Sequence, residues 1–134
     1  MLIDWSDEYL IGIDKIDEQH KEFFTKVHRV YEACLESEGE NVVQETLDFL
    51  KNYAIEHFRA EEAFMREYEY PDVEEHSKLH AEFLDEYSKL SDEFSDLGTG
   101  QVLADNIIDM VQNWLIEHIA DADRYYATHV KSRS

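Results

Sequence analysis

The sequence predicts an all-α protein: an antiparallel up-down-up-down four-helix bundle with an N-terminal arm, folded as a single domain over residues 1–134. Two observations carry this. Apolar residues recur at alternating three- and four-residue steps along four long stretches, as expected of helices that each bury one stripe. Breaking residues fall between those stretches: Gly39 follows the first, Gly98 and Gly100 precede the last, and Pro71 opens the third, where a missing amide donor does no harm.

Taken in order, Trp5 to Ile13 mixes aromatic, apolar and acidic residues around Gly12 and reads as an ordered arm lying across the bundle. Four helices follow at about 15–40, 41–68, 71–94 and 101–120. The first seam is Ile16, His20, Phe23, Val27, Val30 and Cys34; the second is Val43, Leu47, Leu50, Ala54, His57, Glu61 and Met65. The third runs through Val73, His76, His80, Phe83, Tyr87 and Leu90, and the fourth through Leu103, Ile107, Met110 or Val111, Trp114 and His118. Lys131 to Ser134 are expected to fray.

Composition limits what such a bundle does. Thirty-two acids against twelve Lys and Arg give a net charge of −20, which repels nucleic acid and anionic membrane surfaces and mildly favours a monomer. Hydrophobic residues make 43% of the chain and aromatics 13%, enough for a sizeable core. The one cysteine, Cys34, excludes an internal disulfide and a thiolate-rich metal site, and suits a cytoplasmic protein. No apolar run approaches the roughly 18 residues of a membrane span, and the acidic start is no signal peptide.

The informative feature is a set of polar residues on or beside the apolar seams: His20, His57, Glu61, His76, His80, His118 and Asp123. Short connections make neighbouring helices antiparallel, so early positions on helices one and three meet late positions on helices two and four. The set therefore converges at one end of the bundle. Residues four apart differ by about 40° around a helix, so His57 with Glu61, and His76 with His80, each share a face. His118 and Asp123 are five apart, about 140° on a regular helix, and share a site only if the helix is distorted or ends between them. Asp121 is the geometric rival. His28 and His129 fall off the seams and are expected to face solvent.

Burying five imidazoles without a common partner leaves polar groups unsatisfied at roughly 1–3 kcal/mol each, which points to metal. Seven ligands exceed a tetrahedral zinc site, and imidazole with carboxylate suits iron, so two ions are implied. Two octahedral ions offer about twelve places; five imidazoles, two bridging carboxylates and one bridging oxygen fill about eleven. One place stays open, which suits a small diatomic ligand. Trp114, Leu115, Ile119, Phe58 and Met65 are candidates for a dry lining around it, and ordinary core packing is the alternative.

Several motifs together resemble the hemerythrin family over nearly the whole chain: Trp5-Ser6-Asp7, Asp17-Glu18-Gln19-His20, His57 through Met65, Tyr70-Pro71-Asp72, His76-Ser77-Lys78-Leu79-His80, and Trp114 through His118 to Asp123. The resemblance implies reversible O2 binding, without enzymatic turnover, at two non-haem iron ions with an oxo or hydroxo bridge, for oxygen storage, delivery or sensing. It implies that His76, His80 and His118 complete one iron, that His20 and His57 hold the other, and that Glu61 and Asp123 bridge them. It also selects Asp123 over Asp121. NO and small anions are further ligands for the same open place. The rival from another class is a di-iron oxidase or peroxidase; ferritin-like enzymes build their sites from carboxylates with Glu-x-x-His pairs, and no histidine here has Glu three residues before it.

Overall fold

The computed structural model describes residues 4–36, 40–92 and 101–133. Three helices, α1 (Asp14–Leu35), α2 (Glu40–Glu67) and α3 (Val73–Asp92), are followed by a fourth rod, α4, which combines α and π turns without a break from Gln101 to Arg133. α1 packs on α2 and α4, α2 on α3, and α3 on α4, so the four helices close a ring around one core. The expected connections around Gly39, Gly98 and Gly100 lie outside the described residues.

The seams of α1 and α2 are buried at every expected position, Val43 to Met65 in α2 included. In α3, Val73 is half-buried and the other expected positions are buried. α1 stops at Leu35, short of the expected 40: Cys34 is its last core position, and Leu35 and Glu36 are exposed.

α4 departs most from expectation. It runs to Arg133, well past 120 and through the residues expected to fray, because Tyr126, Ala127 and Val130 supply a further buried face. Two five-residue π turns interrupt it, Ile108–Gln112 and Ile119–Asp123. A π turn adds one residue to the turn and rotates everything beyond it. After the first, Val111 and Leu115 are buried while Met110 and Trp114 are only half-buried, so the seam follows Ile107, Val111, Leu115 and His118. The side chain of Leu103 lies outside the described residues. His118 consequently sits in the middle of α4, and the rest of the rod continues beyond the site.

That extension and the arm close the site end. Ser6 caps a 3-10 turn at Asp7–Tyr9, and Trp5, Tyr9 and Phe24 pack ring on ring, which docks the arm on α1. Asp17, buried on α1, accepts from the Ile11 and Gly12 amides at 2.8 and 3.1 Å and so ends the arm. Gly12 has φ +88°, and a Cβ there would meet the Lys131 ammonium on α4. The Arg124 guanidinium donates to the Glu8 carbonyl, a second tie between arm and α4.

Candidate metal centre

α1 and α3 contribute from their first turns, and α2 and α4 from the second half of their length. His20 comes from the second turn of α1, His57 and Glu61 from the second half of α2, His76 and His80 from the start of α3, and His118 and Asp123 from just before and at the end of the second π turn of α4. All seven side chains are buried, with His20, Glu61 and Asp123 wholly removed from solvent.

The seven converge as two groups joined through the carboxylates. Glu61 Oε1 lies 2.9 Å from His76 Nε2 and 3.2 Å from His80 Nε2, and Asp123 Oδ1 lies 3.0 Å from His76 Nε2 and 3.1 Å from His118 Nε2. The other oxygens face the other way: Glu61 Oε2 is 3.2 Å from His57 Nε2 and 3.6 Å from His20 Nε2, and Asp123 Oδ2 is 3.1 Å from His20 Nε2. One oxygen of each carboxylate thus faces the group of His76, His80 and His118, and the other faces the group of His20 and His57. Asp121, the geometric rival, is exposed.

Two imidazoles are oriented from outside. The His80 Nδ1–H donates to Glu62 Oε2 at 2.8 Å, while Ser77 Oγ donates to Glu62 Oε1 at 2.8 Å. His57 Nδ1 lies 2.7 Å from Gln19 Oε1, and the Tyr53 hydroxyl donates to the Gln19 carbonyl at 2.8 Å. An acceptor at Nδ1 fixes the proton there and leaves Nε2 with its lone pair inward, the tautomer a metal needs. Stacking holds two rings further: Phe58 lies 3.9 Å from the His80 ring at 7°, and Trp114 lies 4.3 Å from His118 at 13°. The lining candidates Trp114 and Phe58 therefore lie against the three-histidine side, with Phe58 also 5.7 Å from His57.

Sequence reasoning missed Asp17, Gln19, Glu62 and Tyr126. The signal for Glu62 and Gln19 was their adjacency to Glu61 and His20: one residue along a helix turns about 100°, toward the neighbouring helix. His129, expected in solvent, is half-buried and hydrogen-bonds through Nε2 to the Tyr68 carbonyl at 2.8 Å, tying α4 to the connection before α3. His28 is half-buried, 3.6 Å from Asp4.

The donor set fits metal ions. His20 Nε2, Glu61 Oε2 and both Asp123 carboxylate oxygens are buried and make no hydrogen bond, although they point at one another across about 3–4 Å. Native interiors rarely leave so many polar atoms unmatched, and cations between them would satisfy all at once. Without cations, protons do the work. Burial alone would lower the His20 and His118 imidazoles, but Asp123 and Glu61 outweigh it and raise them to about 9 and about 10. The same contacts, against burial, hold the Glu61 and Asp123 carboxyls below their usual range.

Comparison with known proteins agrees with this geometry. The family description Hemerythrin HHE cation binding domain matches residues 11–130. The bacteriohemerythrin of Stenotrophomonas maltophilia is 31% identical over 98% of this chain and 83% of its own, and that of Clostridium acetobutylicum is 29% identical over 91% and 96%. A crystal structure of wild-type hemerythrin superposes with a TM-score of 0.82 at 23% identity, covering 97% of this chain and 98% of that one, and so shares the fold. The chain belongs to the hemerythrin family, whose function is reversible O2 binding at a non-haem di-iron site.

Proposed function

We propose that this protein carries O2 rather than turning it over, and that His20, His57, Glu61, His76, His80, His118 and Asp123 are the ligands of its two irons. The observation that carries the reading is the division of the carboxylate oxygens, Glu61 Oε1 and Asp123 Oδ1 facing the group of His76, His80 and His118, and Glu61 Oε2 and Asp123 Oδ2 facing that of His20 and His57. His76, His80 and His118 would hold one iron and His20 and His57 the other, with Glu61 and Asp123 shared between them, so the side with fewer imidazoles would offer the place for a small ligand. When bound, the iron pair supplies two electrons that can be lent to O2 and recovered.

The chain's own residues supply the rest. Glu61 and Asp123 neutralise charge between the ions, and Glu62 and Gln19 keep His80 and His57 in the ligating tautomer. Phe23 lies edge-on to His57, and Leu115 and Ile119 are wholly buried. These apolar groups keep bulk water away from the pair, which favours release of the ligand as neutral O2. Five histidines to two carboxylates, with no Glu-x-x-His pair, support carriage over oxidation. No described helix is long and apolar enough to cross a membrane. From its single cysteine and its net charge of −20 we assign the chain as a single-domain cytoplasmic monomer.

The test is anaerobic loading with ferrous iron, metal analysis, and an optical spectrum before and after air. Two irons per chain and a visible charge-transfer band that disappears under argon support carriage. Irreversible bleaching, or steady consumption of an added reductant, would assign the centre to an enzyme.

A further inference from the structure

Ions have to reach ligands that solvent does not touch. Between the first turns of α3 and the second π turn of α4 lies a surface cleft of about 370 Å3, walled by Tyr70, Leu79, Ala122, Tyr125 and one member of the site, His76. Clefts elsewhere on the described surface, beside α1 and α2, beside α3 and the first half of α4, and along the arm, are walled by none of the seven.

His76 is held differently from His57, His80 and His118: the Tyr126 ring stands edge-on to it at 5.5 Å, and no described ring stacks on its face. Glu62 fixes His80 and Phe58 stacks on it, Trp114 stacks on His118, and Gln19 fixes His57. His76 meets Glu61 and Asp123 through Nε2 at 2.9 and 3.0 Å, and no hydrogen bond to a described residue holds its Nδ1. The ring has an anchor on the inside and open volume on the outside. Its neighbours there are small or exposed: Ala122 is half-buried, Leu79 is 37% exposed and Tyr125 73%.

We infer that this cleft is the door by which ferrous iron enters and leaves, and that the His76 imidazole is its leaf, swinging about its side-chain bonds into the cleft and back. The inference rests on the di-iron reading above. The position favours metal over gas: the cleft opens on the side of Glu61 Oε1 and Asp123 Oδ1, while the open coordination place belongs to the side of His20 and His57. Metal and O2 then use different sides of the pair, and the O2 side stays closed during loading. Asp72 and Glu75 stand on the rim, and the field of a −20 chain concentrates divalent cations at any opening.

The experiment is to fill or widen the cleft without touching a ligand. Ala122→Trp fills it; Leu79→Ala widens it. Anaerobic uptake of ferrous iron is followed by stopped flow, and removal is followed with a coloured ferrous chelator. Filling is expected to slow uptake and removal together, by about tenfold, the effect of about 1.4 kcal/mol on a shared barrier. Widening is expected to speed both. Because entry and exit share one door, two irons per chain and an unchanged affinity are expected in every variant that folds. If Ala122→Trp lowers the melting temperature of the metal-free protein, Leu79→Trp replaces it. Uptake and removal at wild-type rates in all variants would overturn the door, as would a change in one direction only. If the wild-type chain takes up no iron, the di-iron reading itself fails, a result distinct from unchanged rates.

Discussion

His118 Nε2 and Asp123 Oδ1 lie 3.1 Å apart, although five residues separate them on one helix. On a regular α-helix they would point about 140° apart. The π turn at Ile119–Asp123 takes up one extra residue, so that residues five apart close a single turn. The distortion turns an off-face acid into a partner of both His118 and, through Oδ2, of His20 on α1.

The first prediction separates the two acids of that turn. Asp121→Asn removes an exposed carboxylate and is expected to leave two irons per chain and stability within about 0.5 kcal/mol, as for most surface changes. Asp123→Asn removes the carboxylate shared by both groups of imidazoles and is expected to reduce iron content to one or none. Metal analysis of the two purified variants decides, and equal loading would remove Asp123 from the ligand set.

The seams of α1 and α2 were legible because a regular helix repeats its face every 3.6 residues, and His20, His57 and Glu61 keep that period. α4 was less so. A π turn carries no compositional mark: the sequence ends the helix near 120, leaving open whether it stops or distorts before Asp123, and the earlier turn at Ile108–Gln112 shifts burial from Trp114 to Leu115 without a glycine or proline to announce it. The orienting groups Glu62 and Gln19 were hidden for another reason. Their partners lie on other helices, and periodicity along one chain segment holds no information about which neighbour a half-buried polar residue faces.

Those orienting groups give the second prediction. Glu62→Gln weakens the acceptor that holds the His80 Nδ1 proton at 2.8 Å, and changes to such supports typically cost about 10–100-fold in metal affinity. Gln19→Ala does the same to His57. Since the two imidazoles sit on opposite sides of the carboxylates, each variant is expected to weaken one iron and spare most of the affinity for the other. Chelator competition resolved into two steps tests this; a uniform loss of both irons in each variant would show that the two places are not separable.

The third prediction concerns pH in the metal-free protein. The His20 and His118 imidazoles are raised from 6.5 to about 9 and about 10, since the Asp123 and Glu61 carboxylates overcome the effect of burial. A base whose folded pKa lies above its unfolded one contributes stability that is complete below about pH 6.5 and is lost as pH rises through the folded value. Asp123 and Glu61, held below their usual 3.8 and 4.5, contribute stability above those values that is lost on acidification. The metal-free protein should therefore melt highest between about pH 4.5 and 6.5 and fall steadily toward pH 10. Iron replaces those protons, so loading at pH 7 should release about two of them, measurable with a pH indicator in weak buffer. A melting temperature that climbs from pH 6 to 9 would contradict the assignment.

The last prediction turns on Tyr126, one turn beyond Asp123. Its ring stands edge-on to His76 at 5.5 Å, and its hydroxyl is fully buried without a hydrogen-bond partner. Burial raises this phenol far above its ordinary range, and the nearby Glu61 and Asp123 charges push in the same direction. A buried hydroxyl with no partner costs about 1–3 kcal/mol. Tyr126→Phe keeps the ring and deletes that cost, so the metal-free variant is expected to be at least as stable as the wild type by denaturant unfolding. Bound iron would fix the orientation of Glu61, to which the nearby hydroxyl could then donate; the loaded variant is then expected to give up iron faster than the wild type. A metal-free variant less stable by more than about 1 kcal/mol would mean that the hydroxyl already has its partner before any metal arrives, and that its contribution is to the fold rather than to the centre.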